Sequence, residues 1–113
     1  MKPLAALVAL AALASPAAAE SRGTRIAMAV ALLDVTGEYC AGTLKVDSAV
    51  KAKLFENFHE YDIAGLASLL SQPLNNFYED FTYQAKQDRI AFCRGAPKQA
   101  ARTDYPVLLA GGG

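Results

Sequence analysis

The residues with the widest chemical repertoire in this chain are few and scattered. His59 is its single histidine, set in the run Phe58-His59-Glu60-Tyr61-Asp62, where an imidazole among carboxylates could serve as a general base or help hold a metal ion. The spacing argues against both uses. A zinc-binding His-Glu-x-x-His helix needs a second imidazole where Ile63 stands, and one imidazole with scattered carboxylates makes a poor transition-metal site. His59, Glu60 and Asp62 are thus the only candidates for a metal or enzymatic site, and a surface histidine is the expectation. Ser48, Ser68 and Ser71 lack the Gly-x-Ser-x-Gly setting of a nucleophile elbow. Gly42, Gly65 and Gly95 form no phosphate loop. No cofactor and no catalytic activity are expected.

Cys40 and Cys93 are the remaining reactive pair, and the N-terminus decides how to read them. Residues 1–19 hold Lys2, an apolar run from Leu4 to Ala14 and the small-residue end Pro16-Ala17-Ala18-Ala19, the pattern of a bacterial secretory signal peptide cleaved before Glu20. The run falls short of the ~20 residues of a spanning helix, and Ser15 and Pro16 interrupt it. No cysteine stands at the cleavage point, so a lipid-modified N-terminus is not expected. The sequence predicts Sec-type export to the periplasm with no membrane span after cleavage. In an oxidising compartment two cysteines are expected to pair within the chain, closing a loop worth roughly 4 kcal/mol in the chain-entropy model. Functional thiols lack support, because there is no Cys-x-x-Cys and only one histidine to activate a nucleophile.

Charge excludes one class of partner and hints at another. With 11 basic and 11 acidic residues, the chain offers no electrostatic case for nucleic acid, which usually needs a basic face. The distribution is more telling than the balance. Between Leu54 and Ala85 the acids are Glu56, Glu60, Asp62, Glu79 and Asp80 without Lys or Arg, and from Lys86 to Arg102 five bases stand against Asp88. Separately solvated faces are the plain expectation, and a steering surface for a partner is the sharper one.

The elements that would position these residues read as helices. Residues 73–93 carry the clearest period: Leu74, Phe77, Tyr78, Phe81, Ala85 and Phe92 fall mostly three or four apart. Pro73 suits the first turn, Gly95 suits the position past the end, and the acids precede the bases as the helix dipole favours. The aromatic stripe is expected in the core, since a chain this short needs most of its large side chains to fold. An apolar binding surface at Phe77, Tyr78 and Phe81 is the alternative.

Earlier in the chain, residues 20–23 read as a flexible N-terminus. Thr24 can cap an apolar segment over residues 25–35 that suits a helix or a buried strand, and its alanines favour the helix. Gly37 is its expected stop, and residues 38–44 are a loop. Val46, Val50, Leu54, Phe58 and Tyr61 predict a second helix starting at Asp47 or Ser48 and ending near residues 59–61. Asp62 can cap a short third helix over residues 63–70 with Ile63, Leu66, Leu69 and Leu70 inward, weakened by Gly65. Ser71 and Gln72 then form a break or a kink before Pro73. Residues 96–113 read as a flexible tail, in which Tyr105 to Leu109 either latches onto the helices or docks another protein.

These readings combine into an all-α fold: a cleaved signal peptide (1–19), a bundle of three to four helices with one intrachain disulfide (20–95), and a tail (96–113). In general architecture this is similar to small periplasmic helical proteins with a single disulfide, a group that includes acid-stress chaperones. Size and cysteine count carry no functional residue across. The expected function is an exported interaction protein that binds another protein or an envelope component. The alternatives are a periplasmic holdase whose acidic middle is neutralised at low pH, and a small metal-binding protein or enzyme built on His59.

Overall fold

The computed structural model of the protein describes residues 22–63 and 67–110, with the side chains of residues 61–63 and 67–69 left out of that description. The signal peptide expected over residues 1–19 lies outside the described residues, as do the predicted roles of Gly65, Leu66 and the side chains of Asp62, Ile63 and Leu69. Among the described residues the chain is mostly helical, with four helices, one two-stranded antiparallel sheet and a Cys40–Cys93 disulfide.

Helix α1, described over residues 22–39, is the centre of the core. Ile26, Ala27, Ala29, Val30, Ala31, Leu32, Leu33 and Val35 are all buried, which settles the choice between helix and strand in favour of alanine's helical preference. Arg22, Gly23 and Thr24 lie inside this helix rather than forming a free N-terminus and a cap. Gly37 does not stop it either. The buried Thr36 hydroxyl donates to the Leu32 and Leu33 carbonyls at 2.7 and 3.0 Å, and the Cys40 N–H still donates to the Thr36 carbonyl at 2.8 Å, so the helical bonding carries past the glycine.

The reversal comes at Gly42, whose φ of +85° is open to glycine at little cost. It feeds β1, Leu44–Val46. Val46 was expected on the inner face of a helix, yet it lies in this strand and is exposed. Helix α2, Ser48–Ile63, begins one residue after Asp47, whose carboxylate accepts from the Ala49 and Val50 N–H groups at 3.1 Å. It buries Leu54 and extends through Asp62, so Asp62 is not the cap of a separate helix.

Helix α3, Ala67–Gln87, runs through Pro73 without the break expected at Ser71 and Gln72. Proline forfeits one backbone bond, but Leu70, Phe81 and Ala85 are buried and Leu74, Phe77 and Tyr78 pack against the core on both sides of it. Packing of that continuous face outweighs the missing bond. The helix expected over residues 73–93 is instead two. Asp88 is extended (φ −156°, ψ 91°), and its carboxylate accepts from the Ala91 N–H at 3.0 Å, capping α4, Arg89–Ala101. Gly95 and Pro97 lie inside α4 rather than beyond a helix end, because Phe92, Ala96 and Ala100 form a buried row at four-residue spacing.

The predicted tail is therefore structured from its first residue. The Thr103 hydroxyl donates to the Ala100 carbonyl at 2.7 Å and accepts from the Tyr105 N–H at 3.1 Å, and Asp104 (φ 69°) pairs with Arg25 at 3.3 Å. This turn sends the chain back as β2, Leu108–Ala110, with Leu44 opposite Ala110 and Val46 opposite Leu108. Val107 is 0 % and Leu108 2 % exposed, so the latching reading of residues 105–109 holds over the docking one.

Candidate functional site

The disulfide is the natural place from which to build a site, because two structural devices meet there. Cys40 ends α1 in a turn held by the Thr43 hydroxyl, which donates to the Cys40 carbonyl at 2.8 Å. Cys93 sits one turn past the Asp88 cap of α4. The cross-link, with Cα atoms 5.6 Å apart, ties the turn before β1 to the flank of α4. Between them opens a groove of about 540 Å³. Tyr39 contributes from the end of α1, Leu44 and Ala110 from the sheet, and Ile90, Cys93 and Pro97 from α4. Ile90 is 66 % exposed, a large aliphatic side chain open to solvent beside the half-buried Tyr39, Leu44 and Pro97.

Arg89 and Arg94 flank the groove and no carboxylate lines it. Among the described residues the one ion pair joins Arg25 to Asp104, so Lys86, Arg89, Arg94, Lys98 and Arg102 have no acidic partner. The nearest acid in sequence, Asp88, is engaged with the Ala91 N–H as the helix cap. The groove thus combines an apolar floor with an uncompensated positive rim. Two strands that each have a single neighbour stand beside it, leaving backbone donors and acceptors open along the outer edges.

The other sequence candidates fall elsewhere. His59 and Glu60 are exposed on α2, and His59 has the Phe58 ring as its neighbour at 6.4 Å. Among the described residues no group of three or more His, Cys, Asp or Glu side chains is arranged to hold a metal ion. The aromatic trio divides. Phe81, 1 % exposed, is core, stacked on Phe77 at 5.8 Å and tilted against Phe92 at 6.1 Å. Phe77 and Tyr78 are half-buried against the same cluster, so the stripe packs inward rather than presenting a surface. The Tyr78 hydroxyl donates to the Asp34 carboxylate. Burial pushes its pKa well above the usual tyrosine range, helped by that hydrogen bond and by the Asp34 charge, so the phenol stays protonated at any physiological pH and is no base.

Sequence reading missed the groove because its walls are far apart in the chain. One signal was available: Ile90 falls off the aromatic stripe of residues 73–93 and had no assigned partner. Among the described residues no helix is long and apolar enough to cross a membrane. No protein-family model, curated protein or solved structure matches the chain.

Proposed function

We propose that the protein is an exported, non-catalytic binding protein of the bacterial periplasm that engages another envelope component through the groove beside its disulfide. The observation that carries this reading is an apolar floor that includes the exposed Ile90 and is flanked by Arg89 and Arg94, neither of which has an acidic partner among the described residues. A disulfide is consistent with an oxidising, extracytoplasmic compartment. The holdase alternative is less well supported. Glu56, Glu60, Glu79 and Asp80 are exposed and none is in an ion pair among the described residues, so neutralising them in acid would release no bridge.

The test is site-directed photo-cross-linking in intact cells, with the probe at Ile90 and, as a control outside the groove, at Lys53. Adducts at position 90 that exceed those at position 53 support the reading. Equal or absent adducts at the two positions defeat it.

A further inference from the structure

The chemistry of the groove narrows what it holds. Its floor is apolar: Leu44, Ile90, Pro97 and Cys93. Its charge is of one sign, from Arg89 and Arg94, neither of which has a carboxylate partner among the described residues. A volume of about 540 Å³ lies within the range of small-molecule sites, roughly 300–1,000 Å³, which are mostly apolar with a few polar groups that fix orientation. Guanidinium groups suit planar or tetrahedral oxyanions, since each can present two parallel N–H donors to carboxylate or phosphate. An uncharged apolar ligand would leave both arginines without a counterion, and a compact anion would leave the floor in water. Only a molecule with both parts uses both features.

We propose that the groove binds a single-chain anionic amphiphile, an acyl chain along Ile90 and Leu44 with its carboxylate or phosphate head between Arg89 and Arg94. The inference rests on the reading of the groove as the binding face and adds the chemical class of its occupant. Charge complementarity selects the head, and the apolar floor selects the chain. Each methylene that enters the groove strengthens binding by at most about fourfold, so affinity climbs with chain length until the floor is covered and then levels off.

The experiment uses the purified oxidised protein, titrated below micellar concentrations with dodecanoate, dodecyl phosphate, dodecyl maltoside and dodecyltrimethylammonium. Backbone amide shifts are read by NMR and affinities by calorimetry. Either anionic ligand should shift the amides of Leu44, Ile90 and Cys93, and the tighter of the two identifies the head group. Octanoate should bind more weakly than dodecanoate. Arg89→Gln with Arg94→Gln should weaken the anionic ligands at least tenfold, whereas Lys53→Gln should leave them unchanged. Both arginines are exposed, so the variant is expected to fold, and its far-UV spectrum checks this.

Equal binding of the neutral, cationic and anionic chains overturns the proposal, as do shifts confined to other surfaces or an unchanged affinity in the double variant. Failure of every amphiphile, alongside strong cross-linking at position 90, would refute this ligand class while leaving the binding reading intact.

Discussion

Residues 107 and 108 complete the core of this fold, although composition alone reads them as part of an appendage. Val107 and Leu108 are nearly inaccessible, while Leu109, the next residue along β2, is 42 % exposed. Successive strand residues face opposite ways, so the pair Leu108→Ala and Leu109→Ala makes a same-chemistry comparison one residue apart. Leu108 packs with the cluster that contains Leu33, Cys40, Phe81 and Phe92. Truncating a buried leucine to alanine costs about 2–5 kcal/mol, rising with the cavity that remains, whereas an exposed substitution usually stays within about 0.5 kcal/mol. Against a total stability of about 5–15 kcal/mol, the first is severe and the second barely detectable. For a domain of this size about 1 kcal/mol moves the thermal midpoint by roughly 4–8 °C, so Leu108→Ala should lower it by at least about 8 °C. Urea titration followed by far-UV circular dichroism, with the disulfide intact, gives the free energies directly. If both variants lose less than about 0.5 kcal/mol, residues 105–110 are not part of the core and the reasoning fails.

Three further outcomes are expected. Reducing the disulfide should lower the unfolding free energy by about 4 kcal/mol, the loop-closure value for a separation of 53 residues, and urea titrations with and without reductant that differ by less than about 1 kcal/mol would contradict it. Asp88→Ala removes the acceptor for the Ala91 N–H and should cost about 1 kcal/mol by the same method, with Asp88→Asn retaining most of the stability; an unchanged alanine variant would show that the cap contributes nothing. Tyr78 should ionise well above the usual tyrosine range in an ultraviolet titration, because burial, the bond to Asp34 and its charge raise the folded pKa. Since the unfolded value is about 10, the associated stability is intact below that pH and lost as pH rises above it, and Tyr78→Phe should flatten that alkaline decline; a Tyr78 that ionises near the unfolded value would refute this.

What could be read from the sequence was whatever a short window determines. The alanine-rich period placed α1, Asp47 marked the start of α2, and the aromatic stripe from Leu74 to Phe81 reported its buried face. The cysteine pair was legible because the chain has two cysteines and no Cys-x-x-Cys, so that pairing was the plain expectation. Misreadings cluster where a local preference lost to packing: Gly37, Pro73, Gly95 and Pro97 all sit inside helices whose buried faces continue past them. Asp88 was hidden because aspartate is equally ordinary on a solvated helix face and at a cap. The strands Leu44–Val46 and Leu108–Ala110 are too short to show alternation, and each exists only because the other pairs with it. The groove shares that origin, since Tyr39, Leu44 and Ile90 come from α1, the sheet and α4 and are distant in the chain.

The pairing of β1 with β2 also bears on how the chain is made. Synthesis delivers α1, with an apolar surface on almost every side, before the segments that cover it, which include α4 and Val107. A nascent chain therefore cannot complete this core before Val107 has been made, and each molecule passes through a period with α1 uncovered, when it is open to aggregation or to capture by chaperones.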